Sequence, residues 1–164
     1  MTTISHSVLG RIDTKAPGHW EGKLTFSGRK VAIDLTLEEA NVPHEVVDSA
    51  LQLVDDIRSL DEEARSALVS DLEEGDDAAS AMYVSHHLSE LSDEDLNTIF
   101  DEEPENVDGE AFLEKMQLVR VGIYPEETER HVLLDYSIGS DFTNYILSVA
   151  FDKTGQVTGV SMES

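Results

Sequence analysis

Apolar and polar positions alternate at both ends of this chain, whereas through its middle the apolar positions fall at helical spacing. Near the N-terminus Val8, Gly10 and Ile12 alternate with polar neighbours, Trp20, Gly22, Leu24 and Phe26 repeat the pattern, and Val31, Ile33, Leu35 and Leu37 complete it. A period of two gives each of these three strands one apolar face. Ser27-Gly28 supplies a hairpin turn between the second and third, and Pro17-Gly18 suits a wider connection between the first and second. The alternation returns after Gln117 in Val119, Val121 and Ile123, then in Val132, Leu134 and Tyr136, then in Tyr145, Leu147, Val149 and Phe151. A last strand, Val157 to Met162, follows the turn Asp152-Lys153-Thr154-Gly155.

Between the two strand groups the apolar period is 3.6. Pro43 suits a first helical turn, after which Val47, Ala50, Leu51, Val54 and Ile57 line one face opposite Glu45, Asp48, Asp55 and Asp56. Ser59-Leu60-Asp61-Glu62 reads as a capping box opening a second helix with the stripe Leu60, Ala64, Ala67, Leu68 and Leu72, stopped at Gly75. A third helix is predicted over Asp76 to Leu88, its thinner apolar face made of Ala78, Ala81, Met82 and Leu88. Ser92 to Asp95 caps a short helix that buries Leu96, Ile99 and Phe100, and Asp108 to Lys115 gives one more turn or two with Ala111, Phe112 and Met116 inward. The order predicts an α+β fold: an antiparallel sheet built from an N-terminal three-strand meander (about 7–37) and a C-terminal four-strand meander (about 117–163). Four or five helices (about 38–116) are inserted between them, and the expectation is a single domain over 1–164.

Length and composition fit that reading, since 164 residues with 40% hydrophobic content suffice for one domain with its own core. The absence of cysteine excludes disulfides and thiolate metal sites and fits a reducing compartment. The first twenty residues contain no apolar run of signal-peptide length, and the longest dense apolar stretch, Tyr145 to Phe151, is far short of the roughly 20 residues that span a bilayer. A soluble, cytoplasmic protein is expected.

Charge changes the picture most. Of 35 Asp and Glu residues, 25 lie between Glu38 and Lys115, where Arg58, Arg65 and Lys115 are the only bases. That stretch carries −22 of the net −24, and the strand-rich flanks are nearly neutral. A polyanion of this size repels nucleic acid and anionic membranes and attracts basic proteins, the alternative being that its acids serve only to solubilise the surface. Uniform acidification for a saline environment fits less well, because Lys23, Arg29, Lys30, Arg120 and Arg130 keep the flanks balanced.

Specific chemistry is sparse. An EF-hand register centred on Gly109 places Pro104 first and Lys115 last, and one centred on Gly75 places Ser70 first and Ala81 last, so neither supplies the required carboxylates. His86 and His87 are adjacent but diverge by about 100° on a helix, and a solvated or capping role near a helix C-terminus fits them better than a metal. No nucleophile elbow, phosphate-binding glycine loop or zinc-protease signature is present. Ile138-Gly139-Ser140-Asp141 reads as a hairpin loop, Asp135 and Asp152 as carboxylates at strand ends, and Trp20 as a core or sheet-edge aromatic. No catalytic residue, metal or cofactor is assigned.

The closing third, from Asp135-Tyr136-Ser137-Ile138-Gly139 through Phe151-Asp152-Lys153-Thr154-Gly155-Gln156-Val157 to Met162-Glu163-Ser164, resembles the uncharacterised bacterial family known as domain of unknown function 2004. Gly18-His19-Trp20-Glu21-Gly22 and the strand pair after it resemble that family's start. The resemblance implies a small cytoplasmic bacterial protein and brings no catalytic residues with it. In size and charge the chain is also similar to immunity proteins that neutralise basic toxins.

The expected function is therefore non-enzymatic and immunity-like: the acidic helical segment binds a basic partner, a toxin or another nucleic-acid-binding protein. The residues assigned to that surface are Glu73, Glu74, Asp76, Asp77, Asp93, Glu94, Asp95, Asp101, Glu102, Glu103 and Glu105. The rival is a small-molecule binder or enzyme with a cleft between the sheet and the inserted helices, favoured by a pocket lined by Tyr83, His86, His87 or His131. Nothing in the pattern signals an oligomeric state.

Overall fold

The computed structural model of the chain describes residues 3–164 and has the α+β architecture that the periodicity predicts. Four strands, β1 (Thr3–His6), β2 (Gly10–Asp13), β3 (Gly18–Phe26) and β4 (Arg29–Leu37), precede five helices. These are α1 (His44–Asp55), α2 (Ile57–Leu72), α3 (Ala79–Glu90), α4 (Asp93–Phe100) and α5 (Gly109–Glu114), with a single 3-10 turn at Pro104–Asn106. Then come β5 (Gln117–Ile123), β6 (Val132–Ser137), β7 (Ile146–Phe151) and β8 (Val157–Glu163).

Strands β3 to β8 form one six-stranded sheet in sequence order. Each pairing is antiparallel except that of β4 with β5, where Ile33 faces Val121 and Leu35 faces Ile123 in parallel register. The parallel joint follows from the insertion. A chain that leaves β4 and returns beside it in the same direction needs a long crossover, which the helices provide. The inner face of the sheet carries Val31, Ile33, Leu35, Leu37, Val121, Ile123, Leu134, Tyr136, Val149 and Phe151, all buried in the same core as the helices' inward residues. Strands α2 and α3 meet there are β7 and β8, while α5 packs on α2 and α3. Central strand β6 is buried at every position, whereas edge strand β3 alternates half-buried and exposed residues.

Several boundaries differ from the sequence expectation. The first strand, expected at Val8 to Ile12, is instead a separate two-stranded hairpin of β1 and β2, with Val8 and Leu9 in its turn. His6 Nδ1 accepts from the N–H groups of Val8 and Leu9 (3.2 and 3.1 Å), which closes that turn. The turn lies over β3 at Gly22, where a Cβ would stand 2.7 Å from the Val8 carbonyl oxygen. The capping-box reading of Ser59 to Glu62 fails because α2 already begins at Ile57, directly after a bend at Asp56 that ends α1. The apolar stripe of α2 runs back through half-buried Ile57, so Ser59 lies inside the helix. In α3 the inward face is Ser80, Tyr83, Val84 and His87 rather than the methionine face, and Met82 is 49% exposed. No helix among the described residues is long and apolar enough to cross a membrane.

Candidate functional site

The acidic residues assigned from the sequence fall in two places. Glu73, Glu74, Asp76 and Asp77 occupy the turn between α2 and α3, and all are exposed. Asp93, Glu94 and Asp95 form the first turn of α4, and Asp101, Glu102, Glu103 and Glu105 lie in the connection after it. All of this second group are exposed except half-buried Asp95. The first turn of α4 has local support: Ser92 Oγ accepts from Asp95 N (3.1 Å), and the helix dipole favours the three carboxylates there. Asp101 ends the helix in the left-handed region, at φ 54°, a conformation that Asp tolerates better than most residues.

One backbone approach links the segment after α4 to the end of α2. Gly109, the first residue of α5, approaches the last residue of α2 so closely that a Cβ on it would stand 2.9 Å from Leu72 Cδ2. The connection that carries Asp101 to Glu105 therefore ends beside the point where the α2–α3 turn begins. Phe100 and Phe112 anchor its two ends in the core, with ring centroids 5.1 Å apart. Among the described residues, none of the eleven carboxylates lies within ion-pair distance of a basic group. Both acidic groups thus carry negative charge that no basic side chain among the described residues neutralises.

The histidines and tyrosine of the rival reading lie elsewhere. His87 is neither solvated nor a cap: it is 2% exposed, with Nδ1 2.6 Å from the Tyr83 carbonyl oxygen and Nε2 2.8 Å from Thr143 Oγ1. The carbonyl requires the proton on Nδ1, so in the neutral ring Thr143 donates to Nε2. Burial pushes His87 below its ordinary pKa, only partly offset by the Tyr83 carbonyl, and His86 adds to the lowering. Tyr83 donates to the Tyr145 carbonyl (3.1 Å) and accepts from Ile138 N (3.4 Å), and burial pushes its hydroxyl up. These bonds clamp the β6–β7 loop onto α3. Exposed His86 packs edge-on against Tyr145, with centroids 5.1 Å apart. No group of three or more His, Asp or Glu side chains among the described residues is placed to hold a metal ion.

Two buried charge networks were missed in the sequence. On the outer face of the sheet, Arg120 donates to Asp34 through Nε (2.7 Å) and Nη2 (2.8 Å), to Asp135 through Nη1 (3.1 Å) and to the Tyr124 hydroxyl (2.8 Å). Burial works against the Arg120 charge, but the hydrogen bonds it donates to Asp34, Tyr124 and Asp135, with the nearby Asp34 charge, outweigh it and hold the guanidinium above its ordinary pKa. Asp135 consequently sits in the middle of β6 rather than at a strand end. The available signal was a charge flanked by apolar residues in each of three strands, Asp34, Arg120 and Asp135, which the registers bring together around Arg120. On the inner side, Tyr136 donates to Asp61 Oδ1 (2.6 Å), Arg65 Nε spans both Asp61 oxygens (3.2 and 3.1 Å), and Arg65 lies over the Tyr136 ring. Burial, then the bond to Asp61, pushes the Tyr136 hydroxyl far above its ordinary value.

A cleft of about 390 Å³ does open between the sheet and the helices, beside the first half of α2 where Asp61 and Arg65 lie, but its walls hold none of Tyr83, His86, His87 and His131. No family model, curated protein or solved structure matches this chain.

Proposed function

We propose that this chain is a non-enzymatic, immunity-like interaction protein that docks a basic partner protein on the acidic segments after α2 and around α4. One observation carries the reading: eleven carboxylates, ten of them exposed, are left without an ion-pair partner among the described residues. Concentrating like charges destabilises a fold through self-repulsion, and a complementary partner relieves that repulsion on binding. Steering by such a field raises association rates by about 10- to 10³-fold, an effect that falls as salt is added. A toxin or another protein that itself binds nucleic acid has the required basic surface, while nucleic acid itself and anionic membranes are repelled. Encounter with such a partner in the cytoplasm agrees with the absence of cysteine.

The test separates this surface from net charge. In one variant Asp93, Glu94, Asp95, Asp101, Glu102 and Glu103 are changed to Asn or Gln; in the other, exposed Glu38, Glu39, Glu45, Asp56, Glu62 and Glu63 are changed in the same way. Both variants carry the same net charge. Association with a basic partner identified by affinity capture is then followed at low and high salt. The first variant should associate about tenfold more slowly at low salt, and the second should lose much less. Equal slowing of the two variants, or none in the first, rejects the docking surface.

A further inference from the structure

The few bases of the acidic segment are not scattered. Between Glu38 and Lys115 the chain has three, and two of them, Arg65 and Lys115, line the cleft between α2, α5 and the β3–β4 turn, where they meet Arg29. Against a molecular surface dominated by carboxylates, this cleft brings three cationic side chains together with two acidic ones, Asp61 and Glu114. Asp61 is engaged from within by the Tyr136 hydroxyl and by Arg65 Nε.

Arg65 is held in place before any ligand arrives. Its Nε bridges the Asp61 carboxylate, its Nη1 donates to the Met116 carbonyl (3.0 Å), and its guanidinium carbon lies 5.1 Å from the centroid of the Tyr136 ring. Nη2 has no acceptor among the described residues, and neither do the charged ends of Arg29 and Lys115, both of which are exposed. A fixed planar fork with unused N–H groups suits the paired oxygens of a carboxylate or phosphate, which a mobile ammonium grips less specifically. Phe26, Met116 and Leu118 supply apolar wall beside it. The cleft's roughly 390 Å³ lies within the range of small-molecule sites.

We propose that this cleft binds a small organic oxyanion, a phosphate- or carboxylate-bearing metabolite, with Arg65 as the anchoring fork and Arg29 and Lys115 completing its charge. A nucleic acid is excluded as occupant because its extended charge meets the acidic surface around the cleft. A small anion escapes that repulsion, since screening confines the surrounding field to about 8 Å at physiological ionic strength and leaves the nearest bases to decide.

Titration calorimetry on the full chain at constant ionic strength tests the site, with pyrophosphate and citrate as probes. One-site binding with Kd below about 1 mM is expected for at least one of them. The probe that binds more tightly tells whether phosphate or carboxylate is the natural group. Arg29→Gln combined with Lys115→Gln should weaken binding about tenfold without shifting the melting temperature, because both side chains are exposed and unpaired. Arg65→Lys, which keeps the charge but loses the fork, should weaken it to a similar extent, whereas Arg58→Gln, outside the cleft, should not. The proposal is overturned if neither probe saturates by about 10 mM, or if the Arg29 and Lys115 double variant binds as tightly as the parent.

Discussion

Replacing Arg120 by Met removes the single cation that serves two buried carboxylates. The Asp34 and Asp135 side chains are 11% and 7% exposed, and Arg120 supplies three hydrogen bonds to them at 2.7, 2.8 and 3.1 Å. Without it, two negative charges remain on the outer face, on the strands either side of β5, with little water to stabilise them. Breaking a buried pair by removing one partner costs about 3–5 kcal/mol. Because Arg120 itself is 31% exposed, water can enter where it stood, which favours the lower end, about 3 kcal/mol. For a chain of this length each kcal/mol moves the melting temperature by about 3 °C, so a fall of about 9 °C is expected. Urea and thermal melts of Arg120→Met measure this directly. The same change in a background of Asp34→Asn and Asp135→Asn supplies the decisive comparison, since there Arg120 has no charge to neutralise and its loss should cost under about 1 kcal/mol. Equal costs in the two backgrounds, or a cost below about 1 kcal/mol in the parent, would show that the outer face of the sheet is solvated and the ion-pair reasoning wrong.

The buried imidazole of His87 makes a pH prediction. Its pKa is lowered from 6.5 in the folded chain, so on acidification the unfolded chain takes up a proton first. Stability should therefore fall as pH drops through about 6.5, with the loss complete below the folded-state value; buried His131 contributes in the same sense. His87→Gln should be less stable than the parent at pH 7 by about 1–2 kcal/mol yet show a flatter decline down to about pH 5.5, and parallel declines in denaturant melts would contradict this account. Single-domain folding makes the last prediction: a fragment of residues 1–134 loses β7, β8 and Tyr136, exposing the inner faces of α2 and α3 that pack against them. Circular dichroism should find no cooperative melt, and a cooperative one would mean two independent domains.

The helical segment and the strands flanking it were legible because burial on one side imposes a period that local sequence must carry. Leu60, Ala64 and Leu68 in α2, and Val121 and Ile123 in β5, announce their inward faces without reference to any other element. Helix ends were read less well. The bend at Asp56 depends on how α1 and α2 fit over the sheet, and an adjacent capping pattern at Ser59 offered a competing local answer that packing overrode. The inward face of α3 is hard to read for a related reason: Ser80, Tyr83 and His87 are polar or amphipathic, and burial of Tyr83 and His87 depends on partners in the distant β6–β7 loop, while Ser80 Oγ is buried without a partner among the described residues.

By itself, then, the sequence determined the fold class, the succession of a strand group, a helical segment and a second strand group, and the concentration of negative charge between Glu38 and Lys115, all properties of composition and local period. Only the tertiary structure decided which charges are neighbours. Arg120 reaches Asp34 across 86 residues of sequence, Asp61 meets Tyr136 across 75, and Arg65, within the insertion, shares a cleft with Arg29, which precedes it. Such pairings depend on strand register and on where a helix lands on the sheet. Register and landing site are fixed by the packing of many side chains at once, so no single stretch of the chain encodes them.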